Sequence, residues 1–315
     1  MNKKTYRNTI NIAIKKLYDG ELIIFPTETV YGIGADATNS KAVKKIYITK
    51  NRPLNNPIIS HFANIKILSK HVHLNSIALK LAEKYWPGPL TLILKKKQNS
   101  KISSLVSNQS KFIGCRIPNH ELALEILNEL NRPIAAPSAN ISTKLSTTDI
   151  SHLDKSFKDK SIYTINDGQT ELGLESTVID LSSSTPKLLR YGSITEEEIK
   201  EIIPEIEINI TNPKPLSPGQ TYKHYSPNLP LRINVDNVNE GEVLLNFGLN
   251  NLKSKIFELN LSKKSNLKEA AKNFFMYLHI LDKKKCKGIA VAPIPNFDLG
   301  KSINDRLNRA IKENF

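Results

Sequence analysis

Cysteine is scarce in this sequence, and so are the apolar runs that a membrane span or a secretory signal requires. Of 315 residues two are cysteine, Cys115 and Cys286, and neither has a cysteine or histidine at metal-ligand spacing. A disulfide framework or a zinc site is therefore not expected. The N-terminus is polar, and no stretch approaches the roughly 20 apolar residues of a membrane span. We expect a cytoplasmic protein without membrane contact.

The formal net charge of +15 invites comparison with nucleic-acid-binding proteins. Of the 45 basic residues 37 are lysine, and together with abundant asparagine and isoleucine this indicates an AT-rich coding bias. The excess is also spread along the chain, at +7 over residues 1–210 and +8 over the remainder. A weak tRNA or RNA contact stays open, but the charge alone does not predict one.

Short apolar runs mixed with amphipathic segments in the first two thirds of the chain predict an α/β fold. Helical spacing is found over residues 5–18, 40–49 and 75–85. Strand candidates are 22–25, 91–94, 112–115, 133–136, 177–180 and 187–189. Several of these strands lack an intervening helix, so the sheet should be mixed. Polar motifs follow the strands, where open α/β sheets bind their ligands.

A proline-rich connector divides the chain into two predicted domains. Residues 211–230 contain five prolines and no apolar periodicity. We therefore predict a catalytic domain at 1–210, a linker or lid at 211–230 and a second domain at 231–315. Strand-like runs at 242–247, 256–259 and 288–292 alternate with helical patterns at 266–281 and 301–313. This alternation predicts a small Rossmann-like parallel sheet, but no Gly-x-Gly-x-x-Gly supports a dinucleotide site there.

Three polar segments of the first domain, at 50–57, 137–140 and 175–178, together indicate one anion-binding site. In an extended, proline-bounded segment Lys50 and Arg52 would point to the same side, because side chains alternate with a period of two. Arg52 can bind phosphate or carboxylate through two nitrogen atoms, and Lys50 supplies a movable point charge. Ser138 has no base near it in sequence, and Cys115 lies in an apolar run, so no covalent nucleophile is evident.

The motifs resemble the YrdC-like family in order and spacing. They lie at residues 25–32 (FPTETVYG), 50–57 with His61, 86–91, 116–118, 136–140, 174–178 and 189–190. The segments 217–227 and 300–307 are similar to the linker and the appended domain of the family's long two-domain form. The resemblance implies an open, twisted mixed sheet with a ligand groove, followed by a smaller Rossmann-like α/β domain.

The same resemblance implies a nucleotidyltransferase activity. L-Threonine, bicarbonate or CO2 and ATP would give L-threonylcarbamoyladenylate and pyrophosphate. This is the first step of a tRNA modification beside the anticodon, and the product would pass to tRNA threonylcarbamoyl transferase proteins. Mg2+ would enter with the phosphates of ATP, so neither a dedicated metal site nor a permanently bound cofactor is expected.

The resemblance also implies residue roles. Lys50 and Arg52 would be catalytic. L-Threonine would be held by Thr29, His61, Arg116, Ser138 and Ser176. ATP would contact Lys50, Arg52, Asn56, the backbone near Phe112, Ser138, Asn140, Thr148 and Arg190, with Tyr222, His224 and Tyr225 of the linker closing over it. Glu28 and Glu175 would support the site.

Asn51 departs from the family pattern, which usually has glycine between the two cations. Asparagine tolerates a positive φ better than most residues, so the loop should survive this change.

Two other functions stay open. One is a binding module that holds structured RNA in a basic groove, and the other is a carbamoyl-adenylate enzyme of the same fold. Relatives of the second kind carry acylphosphatase-like and zinc-finger segments, which are not visible in this sequence.

Overall fold

The structure of the protein is a computed structural model that describes residues 3–210 and 224–311. Within these residues the first part of the chain forms one ten-stranded sheet. Its strands are β1 Ile23–Phe25, β2 Gly32–Asp36, β3 Ser60–His61, β4 Leu90–Lys95, β5 Phe112–Arg116, β6 Ile134–Ala135, β7 Tyr163–Thr164, β8 Thr177–Asp180, β9 Lys187–Arg190 and β10 Glu207–Ile208. The strand order is β10-β9-β8-β4-β5-β3-β6-β2-β1-β7, with parallel and antiparallel pairs. The predicted mixed α/β sheet is confirmed.

Helices cover both faces of this sheet. They are α1 Lys3–Tyr18, α2 Ser40–Lys50, α3 Ile65–Leu68, α4 Ser76–Tyr85, α5 Glu121–Leu130, α6 Lys155–Asp159 and α7 Glu196–Lys200, with single 3-10 turns at Ser104–Ser107 and Ile150–His152. Side chains alternate along a strand, so Ile23 and Phe25 pack into one apolar cluster and Ile24 into another. β1 is therefore buried on both sides, and the loop that follows it starts from a fixed position.

The strong apolar patterns predicted their elements correctly, but other elements were missed, among them α5, β2 and short elements such as β3, β7, β10, α3, α6 and α7. α1, α2 and α4 agree with the predicted helices, and the predicted strands are present within one or two residues of their expected ends. α5 was not predicted because the residue that precedes it, His120, gives no start signal, and its side chain makes no capping hydrogen bond. β2 was not predicted because its sequence, GIGAD, lacks the apolar run that marked the other strands.

The second part of the chain forms a separate parallel sheet. Its four strands in the described residues are β11 Leu231–Arg232, β12 Glu242–Asn246, β13 Glu258–Asn260 and β14 Gly288–Val291, in the order β11-β14-β12-β13. All pairs in this sheet are parallel, as predicted. Two helices, α8 Leu267–Asp282 and α9 Leu299–Ile311, pack with each other beside it. None of the helices that the structure describes is long and apolar enough to cross a membrane.

The two parts of the molecule share a buried interface. Leu145 and Leu174 of the first part belong to the same apolar cluster as Phe274 and Phe275 of α8. Gly173 lies against the backbone of α8, and a Cβ atom placed there would lie 2.5 Å from the carbonyl oxygen of Lys272. The second domain is therefore packed directly against the segment that leads into β8.

The contact at Gly173 can be tested with a matched glycine. Gly168 and Gly173 both have φ +73°, so alanine strains the backbone at either position. Only at Gly173 would the new Cβ meet backbone, since nothing lies within 4 Å of the corresponding position at Gly168. We expect Gly173→Ala to lower the free energy of unfolding by about 1–3 kcal/mol more than Gly168→Ala does, measured by urea denaturation. Equal losses would contradict the close packing of the two domains.

Candidate active site

A narrow cavity lies where the loop after β1 meets the ends of β3, β5, β8 and β9. The volume of the cavity that the centres of water molecules can reach is about 40 Å³, enough for about three water molecules. Nine of the residues assigned above line it: Thr29, Arg52, His61, Arg116, Ser138, Ser176, Arg190, His224 and Tyr225. Side chains that are separated by up to about 200 positions in the chain are thus brought to one place.

The end of α2 positions the two predicted catalytic cations. Lys50 is the last residue of the helix, and Asn51 follows with φ 51° and ψ 43°, the left-handed conformation of a helix C-cap. The segment is therefore not extended, and the period-two explanation for Lys50 and Arg52 was wrong. The chain reverses direction at Asn51, and the backbone N–H of Arg52 donates to Tyr47 at 2.9 Å. The expectation that Asn51 accepts a positive φ is confirmed.

Lys50 is buried beside the cavity wall with only 1% of its surface exposed. Its Nζ donates to the carbonyl oxygen of Ser138 at 2.6 Å and to that of Asn140. Burial lowers the pKa of Lys50 well below its ordinary value, and the neighbouring charge of Arg52 lowers it further. No carboxylate in the described part of the chain lies within ion-pair distance of this amine.

Arg52 is held by the proline-bounded loop that follows it. Its Nε donates to the carbonyl oxygen of Asn56 at 3.0 Å, and its Nη2 donates to Asn56 Oδ1 at 2.5 Å and to the carbonyl oxygen of Pro57 at 2.8 Å. Burial lowers its pKa to about 10. Within residues 3–210 and 224–311 no acidic group forms an ion pair with Arg52. Two adjacent buried cations with neutral partners are suited to an anionic ligand.

His61 and Arg116 are neighbours because β3 and β5 pair in parallel with these two residues in register. Arg116 Nη2 lies 2.7 Å from Glu28 Oε2, an ion pair by distance. The angles are poor, however, and neither oxygen of Glu28 has a well-aligned hydrogen bond in the described structure. Arg116 therefore keeps donor capacity for another carboxylate. Burial, followed by the charge of Arg116, lowers the pKa of His61 to about 3, so its imidazole is neutral.

Hydroxyl groups complete this end of the cavity. Thr29 Oγ1 lies 2.8 Å from Thr27 Oγ1, and Ser176 Oγ lies 2.7 Å from Thr91 Oγ1. Arg190 donates from Nε to the carbonyl oxygen of Ser176 and from Nη2 to its Oγ, both at 3.0 Å. Thr27 was missed by the sequence analysis, although it lies within the FPTETVYG motif.

His224 and Tyr225 enter the cavity from the start of the second described stretch. Both are buried, and their rings meet edge to face with centroids 4.0 Å apart. Burial lowers the pKa of His224 well below its ordinary value, and Arg52 and Lys50 contribute. Tyr222, the third predicted ring of this motif, lies outside the described residues. The two placed rings line the cavity together with Arg52.

Besides Lys50, four of the assigned residues that the structure describes lie away from the cavity lining. Asn56 binds Arg52, as described above, and Asn140 accepts from Ser138 Oγ while its Nδ2 donates to two backbone carbonyls. Thr148 is fully buried, with its Oγ1 3.4 Å from His152 Nδ1. Phe112 packs beside a small apolar cluster on β4, β8 and β9. Their predicted contacts with ATP stay predictions.

Glu175 lines the cavity although it was expected only to support it. Its carboxylate accepts from Ser146 Oγ and from Arg306 of α9. Sequence reasoning missed Arg306, which lies in the 300–307 motif but has no assigned role there. Among the described residues no three His, Cys, Asp or Glu side chains come together as metal ligands would.

Two family models match this chain. One, described as "Telomere recombination" (Sua5, YciO and YrdC), matches residues 15–192, and the other, "Threonylcarbamoyl-AMP synthase, C-terminal domain", matches residues 194–311. The threonylcarbamoyl-AMP synthase of Bacillus subtilis is 35% identical over 317 residues, 95% of this chain and 91% of that relative. That of Pyrococcus abyssi is 42% identical over 228 residues, 69% of this chain and 65% of the relative. The crystal structure of P. abyssi Sua5 complexed with L-threonine has a TM-score of 0.88 and 33% identity, covering 96% of this chain and 94% of that chain.

The lowered pKa of His61 predicts a loss of stability in acid. Its pKa is about 3 in the fold against 6.5 ordinarily, so between these values the unfolded chain binds more protons and stability falls as pH decreases. At about pH 5 the extra protonation of His61 in the unfolded chain lowers the free energy of unfolding by about 2 kcal/mol. The difference in unfolding free energy between pH 7 and pH 5, from urea denaturation, should therefore be smaller in His61→Gln by about this amount. An unchanged difference would show that His61 titrates normally.

Proposed function

Because the chain belongs to the threonylcarbamoyl-AMP synthase family, we propose that the cavity is where it makes L-threonylcarbamoyladenylate. The chain is a two-domain member and an enzyme that transfers an adenylyl group, with L-threonine and ATP as substrates. Bicarbonate or CO2 supplies the remaining carbon. Neither an RNA-binding module nor a carbamoyl-adenylate enzyme is supported by these relationships.

The reaction brings two anions together. The threonine amine bonds to the carbon of CO2 and loses a proton, or it bonds to the carbon of bicarbonate and water leaves. Either route gives a carbamate. A carbamate oxygen then bonds to the α-phosphorus of ATP as the bond from that phosphorus to the bridging oxygen breaks, and pyrophosphate leaves with the electron pair. Such a step needs positive charge and fixed positions rather than a covalent nucleophile.

The observation that carries this proposal is the burial of Lys50 and Arg52 beside one cavity, with only neutral partners in the described structure. Burying a charge without a counterion is unfavourable, and an arriving phosphate group would supply that counterion. Contacts to the carbonyls of Ser138 and Asn140 hold Lys50 in place until then. Lys50 and Arg52 therefore stabilise the negative charge that builds up on the phosphates during transfer.

The opposite end of the cavity suits L-threonine. Arg116 can receive the carboxylate of the amino acid through the donors that its poorly aligned contact with Glu28 leaves available. Neutral His61 and the hydroxyls of Thr29 and Ser176 then surround the rest of the substrate. Ser138 also lines the cavity, and we assign it contacts with both ligands. Arg190 supports Ser176 and contributes positive charge on the nucleotide side.

ATP is far larger than the space of about 40 Å³ that the cavity leaves for water centres. His224 and Tyr225 line this space, and in the proposed reaction they move aside for ATP, then close over the adenylate and exclude water from its reactive anhydride. Tyr222 is expected to take part in this closure. Asn56, Asn140, Thr148 and the backbone near Phe112 complete the proposed nucleotide contacts. Mg2+ enters on the phosphates of ATP and neutralises part of their charge.

The product is then delivered to tRNA threonylcarbamoyl transferase proteins in the cytoplasm, with at most a weak contact between this chain and RNA.

A direct assay tests the function. The purified chain with ATP, Mg2+, L-threonine and bicarbonate should release pyrophosphate and form an adenylate of the expected mass. Omitting threonine or bicarbonate should abolish both signals. Pyrophosphate release that does not depend on threonine would rule out the proposed reaction.

The role of the two cations predicts a large kinetic effect. Lys50→Ala and Arg52→Ala should each lower adenylate formation at least about 100-fold, equivalent to about 2.7 kcal/mol in the transition state. Lys44→Ala is the matched control, because Lys44 lies in the same helix α2 but is exposed. The control should keep nearly native activity. Near-native pyrophosphate release by both cavity variants would show that the phosphates bind elsewhere.

A further inference from the structure

Helix α9 of the second domain sends one fully buried side chain into the wall of the catalytic cavity. We propose that this residue, Arg306, is a positioning residue for adenylate synthesis that fixes Glu175 and Tyr225 at the cavity. The inference rests on the proposed function, because the cavity that it completes is the one assigned to L-threonine and ATP. The second domain thus contributes to the active site without touching the substrates.

The contact with Glu175 fixes the orientation of that carboxylate. Arg306 has no exposed surface, and its Nε and Nη2 donate to Glu175 Oε2 at 3.2 and 3.1 Å. The other oxygen of Glu175 accepts from Ser146. With both oxygens bound, the carboxylate has one orientation. Glu175 immediately precedes Ser176 in the chain, so a displacement of Glu175 would also displace the serine.

Two further contacts of Arg306 reach the same wall. Its Nη1 donates to the carbonyl oxygen of Tyr191 at 2.5 Å, and its guanidinium carbon lies 5.4 Å from the ring centroid of Tyr225. Tyr191 follows Arg190, which donates to both oxygens of Ser176. One guanidinium therefore connects β9, the segment before β8 and a ring that fills the cavity.

The rest of α9 reinforces this arrangement. Ser302 Oγ donates to the carbonyl oxygen of Gly192 at 2.8 Å. The backbone N–H of His224 donates to the carbonyl oxygen of Arg309 at 3.3 Å, and Ser226 Oγ donates to that of Ala310 at 3.0 Å. The residues on either side of Tyr225 are therefore bound to the same helix that carries Arg306.

Domain packing alone does not require an arginine at this position. A buried ion pair loses the hydration of both charges, and an apolar pair of similar size often holds two surfaces together as well. A guanidinium differs in that its donors have fixed directions. Burial lowers the pKa of Arg306, but Glu175, Tyr225 and Asp305 together raise it above its ordinary value, so the group stays charged. The fixed directions of its N–H donors allow Arg306 to hold the residues of the cavity wall in place.

The test compares Arg306→Met with Lys301→Met in the full chain. Lys301 lies in α9 and also joins the two domains, through Glu196 at 2.9 Å and Glu197 at 2.7 Å, but it does not reach the cavity. We expect Arg306→Met to lower the maximal rate of adenylate formation at least about tenfold and to weaken threonine binding in calorimetric titration. Lys301→Met should stay within about twofold of the native chain in both measurements.

Glu175→Gln and the double variant with Arg306→Met complete a cycle. The two residues share a contact, so the loss of activity in the double variant should be clearly smaller than the two single losses multiplied together. It also removes the unpaired buried charge and keeps the test possible if Arg306→Met does not fold. Additive losses, or an Arg306→Met rate within about twofold of Lys301→Met, would overturn the inference. A native chain that forms no adenylate would instead refute the proposed function.

Discussion

The burial of positive charge without a matching carboxylate is the constraint on which this structure depends. Lys50 and Arg52 are almost fully buried, and the described structure offers them only carbonyl and amide oxygens. Such an arrangement is unfavourable in an empty protein, so the surrounding fold must hold it in place. The left-handed turn at Asn51 and the loop ending at Pro57 provide that support. In the proposed reaction, the phosphate groups of ATP would relieve the unfavourable charge.

The carboxylates near the cavity follow the same logic. Glu28 lies against Arg116, and Glu175 lies against Arg306, so in the described structure neither carboxylate pairs with Lys50 or Arg52. The second of these pairs crosses the domain interface. The smaller domain therefore supplies the arginine that pairs with one carboxylate of the cavity lining, in addition to covering apolar surface such as that of Leu174.

The sequence predicted the elements with continuous apolar patterns and the identity of most cavity residues, but not their geometry. β4, β8 and α1 were predicted from local periodicity, because burial of those patterns is decided within each segment. The convergence of Lys50 and Arg52 was explained wrongly, because a helix end replaced the expected extended chain. The role of Arg306 could not be predicted, since its contact with Glu175 joins residues 131 positions apart. Such pairing is set by the packing of domains, which no local pattern contains.

The most direct test of this account is the number of protons taken up when ATP binds. Burial and Arg52 lower the pKa of Lys50 in the free chain, and phosphate groups should raise it again. Calorimetric titration with ATP at about pH 8.5, in two buffers of different ionisation enthalpy, should show net uptake of up to about one proton per ATP. Lys50→Met should bind without this uptake. Identical proton uptake in the two proteins, or none in the native chain, would contradict the claim that burial lowers the pKa of Lys50 and that phosphate groups raise it again.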